Sequence, residues 1–255
     1  MSSLEALIFD THAHYEDPVF EDNFDELINE MKNSGVGGII TCGCDKQSSL
    51  KALSLAERYD IVYAAVGIHP GNIDNGTTIA DIKSLLSHPK CVAVGEIGLD
   101  YYWRQDNKSE QKEIFKAQLQ LANEFGLPVL VHDRDAHADT LEILKEYKPK
   151  GVVHAFSGSV EMAREIVKLG LYLGVGGVLT FKNARALPAV VSDTPIEKLL
   201  LETDAPYLAP VPHRGETNNS AMIHYVAEKM AEIKEISKNE VLIQTFKNAK
   251  NLFNI

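Results

Sequence analysis

Short runs of apolar residues alternate with longer amphipathic stretches along nearly the whole chain. In the first amphipathic stretch, Phe24, Leu27, Ile28 and Met31 recur at the spacing of one helical face. This periodicity predicts helices over 23–32, 46–58, 79–86, 110–125, 141–147 and 160–169. The apolar runs predict strands at 7–9, 36–41, 61–66, 91–95, 128–131, 152–153, 171–175 and 198–201.

The apolar runs are continuous rather than alternating, which is typical of parallel strands that are covered on both faces. Eight such strands separated by helices predict a (β/α)8 TIM barrel, a fold of about 250 residues, and the chain has 255. A doubly wound open sheet is the alternative, but it usually has fewer strands. Two helices follow the last strand, and the second opens with the capping-box pattern Ser237-x-x-Glu240. Because no low-complexity linker interrupts the chain, we expect a single domain over 1–255.

Composition narrows the cellular setting and the kinds of partner. The formal net charge is −11, from 36 acidic and 25 basic residues, so the overall field does not steer the chain toward nucleic acid. Any polyanion site must then be a local basic patch or a cleft screened by metal ions. An odd, low count of three cysteines indicates a reducing compartment without a disulfide framework.

Cys42 and Cys44 are separated by one residue, which does not match the usual zinc spacing, and we interpret them as small apolar residues at a strand end. The chain shows no cationic leader and no uninterrupted apolar run of about 20 residues. We therefore expect a cytoplasmic protein without a membrane segment.

Histidines and carboxylates stand where the predicted strands end. His12 and His14 are two residues apart, so both imidazoles point to the same side of an extended strand. Each such residue alone could be an ordinary strand-end residue, but the carboxyl ends of barrel strands meet where active sites are built. Four histidines and two carboxylates are enough for two metal ions, with one carboxylate bridging. The six candidates are His12, His14, Glu96, His132, His154 and Asp204.

Five segments give the chain a resemblance to the TatD family of metal-dependent deoxyribonucleases, including its YcfH-like members. They read DTHAH at 10–14, GIHP at 67–70, VGEIGLDY at 94–101, VHAFSG at 153–158 and LETDAPYL at 201–208. The resemblance covers essentially the whole chain. It implies a TIM barrel that hydrolyses DNA, with 3′→5′ exonuclease action as the expectation. RNA as substrate and endonuclease action stay open.

The resemblance also implies a centre of two divalent metal ions that share Glu96 as a bridging ligand. One ion would be bound by His12, His14 and Asp204, and the other by His132 and His154. Mixed nitrogen and oxygen ligands suit Zn, Mn, Mg or Fe, so the identity of the metal stays open. Two such ions lower the pKa of a bound water and can clamp the attacking and leaving oxygens. Asp204 either accepts the proton of that water or acts as a ligand alone.

Further polar residues near the strand ends are candidates for positioning and for substrate binding. Glu202 precedes Asp204 by two residues on the same strand face, and we interpret it as a partner that orients a metal ligand. His69 ends the third strand and either contacts the substrate phosphate or caps the strand. Lys182 and Arg214 lie in the loops after strands seven and eight, which often bind phosphate in this fold.

Two other segments allow more than one interpretation. The aromatic residues 101–103 could stack on bases, but we favour packing. The glycine-rich segment 174–177 either offers N–H groups to a phosphate or forms a turn. In 214–220 the chain reads RGETNNS where the TatD family usually reads Arg-Gly-x-x-Asn-Glu-Pro. Asn219 and Ser220 therefore predict an altered entry into the next helix and leave substrate contacts from this loop in doubt.

Two rival functions fit part of the pattern. An amidohydrolase acting on a small amide, ester or lactone would use the same metal cage. Many binuclear members of that class carry a bridging lysine carbamate at the end of strand four, whereas this chain has Glu96 there, and Lys90 precedes the strand. A non-catalytic scaffold that binds nucleic acid or a partner is disfavoured by the intact set of six ligands. The pattern shows no obvious exposed apolar stripe, so we expect a monomer.

Overall fold

The computed structural model describes residues 7–255 and confirms the predicted (β/α)8 barrel. Eight parallel strands pair in the order of the sequence. The segment after the last strand returns to the first through a parallel bridge between Ala13 and Ala205, beside which the His14 N–H donates to the Ala205 carbonyl at 2.7 Å. The strands are β1 (Ile8–Ala13), β2 (Val36–Cys42), β3 (Val62–Val66), β4 (Cys91–Asp100), β5 (Val129–Arg134), β6 (Gly151–Val153), β7 (Tyr172–Val175) and β8 (Leu199–Leu201).

Helices connect the strands, and each buries one apolar face against the barrel. In α6, the Ser159 side chain accepts a hydrogen bond from the Met162 N–H at the first turn, and Met162, Ala163 and Ile166 are buried. The helices are α1 (Phe24–Asn33), α2 (Lys46–Arg58), α3 (Ile79–Leu85), α4 (Lys108–Phe125), α5 (His137–Tyr147), α6 (Val160–Lys168), α7 (Ala186–Asp193), α8 (Ile223–Lys234) and α9 (Lys238–Phe253).

Some bounds differ from those predicted. β4 and β5 continue to Asp100 and Arg134, so Glu96 and His132 lie inside strands rather than just beyond them. Helix α7 has no counterpart among the predicted helices. Its proline and two valines lower its helix propensity, but Pro188 falls in the first turn, where a missing N–H is tolerated. Burial of three apolar side chains then outweighs the weak propensity.

Apolar side chains fill the barrel at the amino-terminal end of its strands. The Phe9 ring of β1 packs against Phe253 of α9, with 6.3 Å between ring centroids, and Gly38 leaves the space that the Phe9 ring occupies. Helix α9 begins with the predicted capping box between Ser237 and Glu240. This end of the barrel is therefore closed by packing, and the polar residues gather at the other end.

Two predictions from composition concern the membrane and the cysteines. Between residues 7 and 255, no helix combines the length and the hydropathy needed to cross a bilayer. All three cysteines are free. Cys42 is buried at the end of β2, as interpreted from the sequence, whereas Cys44 is only partly buried and lines the cleft described below. The single domain and the cytoplasmic location stay predictions.

Candidate metal centre

Side chains from β1, from β4 and from the loop after β8 converge at the carboxyl end of the barrel in what we call the first cluster. The Nε2 atoms of His12 and His14 are 3.2 Å apart, and each lies 3.4 Å from Glu96 Oε2. Asp204 Oδ1 lies 3.6 and 3.5 Å from the same two nitrogens. Ligands of a tetrahedrally bound ion are about 3.4 Å apart at ordinary metal–nitrogen distances. The four atoms are therefore spaced as the ligands of one metal ion.

A second cluster forms on the other side of Glu96. Glu96 Oε1 lies 2.7 Å from His132 Nδ1 and 2.7 Å from His154 Nε2, and these two nitrogens are 3.3 Å apart. The rings of His12 and His154 stack with 3.8 Å between centroids, so the clusters are adjacent. Glu96 thus presents one oxygen to each cluster.

Main-chain hydrogen bonds between neighbouring strands hold these side chains in place. The Asp204 N–H donates to the His12 carbonyl at 2.9 Å, and the His154 N–H donates to the Val131 carbonyl at 3.0 Å. The Glu96 N–H donates to the carbonyl of Gly43, just after β2, at 3.0 Å. Because each candidate ligand lies within a paired strand or shortly after one, the converging geometry is built into the barrel.

Two carboxylates that were not among the predicted site residues contact the outer nitrogens of candidate ligand histidines. Asp100 Oδ2 lies 3.0 Å from His132 Nε2, and Glu16 Oε1 lies 3.0 Å from His14 Nδ1. Such partners fix the orientation of a metal-binding imidazole. The spacing offered a signal for both: Asp100 is four residues after Glu96 on one strand, and Glu16 is two residues after His14.

A buried hydrogen-bond network lies behind the first cluster. Asp10 accepts hydrogen bonds from the Thr203 hydroxyl at 2.6 Å and the Ser220 hydroxyl at 2.7 Å, and from the His12 N–H at 3.3 Å. The Ser220 N–H donates to the Tyr15 hydroxyl at 2.8 Å. A proline at position 220 would lack both donors. The departure from the family pattern therefore connects the start of the α8 segment to the strands that carry the first cluster.

Burial disfavours charge in both clusters, and neighbouring groups decide which charges persist. Burial lowers the pKa of His12 to about 4, aided by nearby His154. Burial opposes ionisation of Glu96, but the imidazoles around it, His154 foremost, hold its pKa well below the usual range. Burial is also outweighed at His132, where Asp100 and Glu96 raise the pKa to about 9. The Glu96 carboxylate is therefore ionised, and a proton on His132 would compete with a cation.

Glu202 lies where the sequence analysis expected it, beside a candidate ligand. Its Oε1 accepts a hydrogen bond from the Ala155 N–H at 2.5 Å and lies 3.8 Å from His154 Nδ1. Burial raises the pKa of Glu202 to about 8. Gly174 packs directly against this carboxyl group, so the first glycine of 174–177 makes room for Glu202 rather than facing the cleft. The positioning role of Glu202 stays a prediction.

The predicted substrate-binding residues lie in different surroundings. His69 lines a cleft of about 810 Å³ over the two clusters, with its Nε2 3.7 Å from Glu96 Oε1. Arg214 instead stacks on the Phe181 ring at 3.9 Å, and Lys182 is exposed. Neither Arg214 nor Lys182 is among the residues that line this cleft. Contact of Arg214 and Lys182 with the substrate stays a prediction. Their position in the structure does not support it.

The mouth of the cleft carries aromatic side chains and an arginine, here called the aromatic rim: Trp103, Arg134 and Tyr207. Trp103 is 70% exposed and Tyr102 is 53% exposed. The Arg134 guanidinium lies 4.0 Å from the Tyr102 ring centroid and 5.5 Å from that of Trp103. Tyr101 is buried, in agreement with the packing interpretation, whereas the rings of Tyr102 and Trp103 contact Arg134 and are exposed enough to stack on bases.

Residues 9–254 match the family of TatD related DNases. The chain belongs to the TatD family. Among TatD-family relatives, the uncharacterized metal-dependent hydrolase YabD of Bacillus subtilis is 43% identical, over 98% of this chain and 100% of YabD. The uncharacterized metal-dependent hydrolase YcfH of Escherichia coli is 36% identical, over 97% of this chain and 96% of YcfH. The crystal structure of YJJV, a TatD homolog from Escherichia coli K12, superposes with a TM-score of 0.93 at 32% identity and covers 98% of this chain and 99% of that one. The predicted family and fold are confirmed, and this TatD-family chain is a metal-dependent hydrolase.

Proposed function

We propose that the chain is a deoxyribonuclease that removes nucleotides from the 3′ end of DNA with two divalent ions. The observation that carries this proposal is the bridging position of Glu96, whose two oxygens face two separate ligand clusters. A carboxylate that joins two cation sites is the arrangement used for in-line displacement at phosphorus, where charge develops on both the attacking and the leaving oxygen.

Each cluster would hold one ion, and Glu96 would be shared. When bound, the two ions supply a water of lowered pKa and neutralise charge on the phosphate. The ligand types suit Zn, Mn or Mg. Asp204 lines the cleft, and hydrogen bonding to His14 holds its pKa below the usual range against the effect of burial. The Asp204 carboxylate is therefore ionised and able to accept the proton of the attacking water.

His69 is suited to contact the phosphate. Its Nδ1 accepts a hydrogen bond from the Gly71 N–H at 3.0 Å, which leaves the proton on Nε2, the nitrogen that faces the clusters. Burial lowers the pKa of His69 to about 3, so the ring is neutral. A neutral imidazole with its N–H directed into the cleft is a hydrogen-bond donor for a phosphate oxygen.

The aromatic rim distinguishes a polymeric substrate from a small neutral one. Exposed aromatic rings stack on bases, and Arg134 beside them offers charge to the backbone of a single strand. A small amide or lactone would use the metal cage but gain nothing from exposed rings at the mouth. This feature favours the nuclease over the amidohydrolase.

The proposal is tested with 3′-labelled single-stranded DNA and chelator-stripped protein that is re-supplied with Mg²⁺, Mn²⁺ or Zn²⁺ one at a time. We expect stepwise loss of nucleotides from the 3′ end that returns with metal. Trp103→Ala should slow DNA hydrolysis by about 5–100-fold because one stacking contact is lost, while hydrolysis of methyl p-nitrophenyl phosphate is unchanged. Hydrolysis of an amide panel without any phosphodiester cleavage would support the amidohydrolase instead.

A further inference from the structure

A second cavity of about 380 Å³, here called the side chamber, opens next to the second cluster. His132, His154 and Asp204 line both the side chamber and the main cleft. Part of a substrate bound in the side chamber would therefore lie next to the bond that is cleaved over the two clusters. Apart from these three residues and Arg134, the residues that line the side chamber belong to neither ligand cluster nor to the aromatic rim.

Most of the side-chamber wall is apolar. It includes Phe156, Val178, Ala184 and Leu187, which come from the loops after β6 and β7 and from the start of α7. Its volume is at the small end of the roughly 300–1,000 Å³ of small-molecule pockets. A flat, mostly apolar group with a few polar edges, such as a single nucleobase with its sugar, fits a chamber of this kind.

Charged side chains of both signs border the side chamber, since the carboxyl groups of Asp133, Glu202 and Asp204 line it together with two arginines. Arg185 and Arg134 line it, and neither forms an ion pair with a carboxylate of residues 7–255. By contrast, Arg164 pairs with Asp193 at 2.6 Å on the nearby surface. A guanidinium without a carboxylate partner is well suited to a phosphate oxygen. Arg185 is thus a cation that the sequence analysis missed, three residues after the Lys182 that it named.

We propose that the side chamber binds the 3′-terminal nucleoside of the substrate, with the base on the apolar wall and Arg185 near the attached phosphate. This inference rests on the proposed function. Water would attack the phosphorus of the last phosphodiester, and a new phosphorus–oxygen bond would form. The bond to the 3′-oxygen of the preceding nucleotide would break, and that oxygen would leave with a proton. The product in the chamber would be a nucleoside 5′-monophosphate.

Two chromogenic esters with the same leaving group separate the chamber from the metal centre. The p-nitrophenyl ester of thymidine 5′-monophosphate places a nucleoside on the attacked phosphorus, whereas methyl p-nitrophenyl phosphate has none. Ala184→Trp narrows the chamber from a half-buried loop position. Asn183→Trp is its matched control, since Asn183 is the exposed neighbouring residue and does not line the chamber.

We expect Ala184→Trp to lower kcat/KM for the nucleoside ester at least tenfold and to leave the methyl ester within twofold. Asn183→Trp should change neither, and Arg185→Gln should weaken inhibition by thymidine 5′-monophosphate. An equal fall for both esters in Ala184→Trp, or no fall for either, would overturn the chamber assignment.

If the wild-type protein cleaves neither ester, the proposed phosphodiesterase activity is wrong. Calorimetry with thymidine 5′-monophosphate then tests separately whether the side chamber binds a nucleotide. Binding that is lost in Ala184→Trp and kept in Asn183→Trp supports the chamber as a nucleotide site. Absence of binding to the wild-type protein rejects it.

Discussion

The two clusters that share Glu96 differ in how completely their surroundings fix them. In the first cluster the outer nitrogen of His14 meets Glu16 and the Cys42 carbonyl, at 3.0 and 2.9 Å. In the second cluster the outer nitrogen of His132 meets Asp100 at 3.0 Å, but His154 Nδ1 is buried without a hydrogen-bond partner among the described residues. The first cluster has four candidate ligand atoms at nearly equal spacing, whereas the second has three at close range, with His69 Nε2 farther off at 3.7 Å from Glu96 Oε1.

If each cluster binds one ion as proposed, this difference assigns different roles to the two ions. A fully surrounded, evenly spaced set of ligands binds an ion tightly because little reorganisation is needed. A set of three leaves a position for water or for a substrate oxygen, as catalytic sites do. The second cluster also borders the side chamber, where we place the terminal nucleoside.

Loss of the bridging carboxylate should have the largest effect. Glu96→Gln keeps one oxygen and replaces the other by an amide nitrogen that does not bind a metal ion. We expect DNA hydrolysis to fall about 10³-fold and one of the two ions to be lost, as measured by rate assays and elemental analysis. Glu142→Gln, an exposed surface change, should alter neither. Full activity of a folded Glu96→Gln protein would show that Glu96 does not join the two sites.

The carboxylates that contact the outer nitrogens of His132 and His14 can be removed one at a time, and each removal should affect only one cluster. Asp100→Asn weakens the support of His132, and Glu16→Gln weakens that of His14. We expect each change to lower metal affinity about 10–100-fold in its own cluster, as measured by competition with a chromogenic chelator. If both variants weakened the same site, the two clusters would not be independent.

The smallest effect concerns the network behind the first cluster. Ser220→Ala removes a hydrogen bond to buried Asp10 and leaves that carboxyl with one donor fewer. We expect the free energy of unfolding to fall by about 1.5–3 kcal/mol, the range for a hydrogen bond to a charged group. This free energy is measured by urea denaturation of Ser220→Ala and of Ser87→Ala, an exposed control. An equal, small effect in both variants would show that the Ser220 hydrogen bond does not stabilise the strands behind the first cluster.

The fold and the convergence of the six candidate ligands were predictable because each rests on a local pattern. Continuous apolar runs define buried parallel strands, and residues at their carboxyl ends must converge once eight strands close a barrel. His12, Glu96 and Asp204 could therefore be placed together although they are far apart in the chain.

Other features depend on contacts that no local pattern encodes. Helix α7 is stabilised by burial in spite of a weak propensity. Lys182 and Arg214 have suitable positions in the sequence, but neither lines the cleft, and Arg185 borders the side chamber instead. Ser220 was read as a change in a substrate loop, whereas its hydroxyl contacts Asp10, 210 residues away.

The central claim is that Glu96 joins two unequal metal sites, and a zinc titration of chelator-stripped protein by calorimetry tests it most directly. We predict two ions per chain for the wild-type protein, one bound more tightly than the other. His132→Asn should lose only the weaker site, and His12→Asn should lose the tighter one. A single ion per chain in the wild-type protein, or loss of both sites in His132→Asn, would contradict this account.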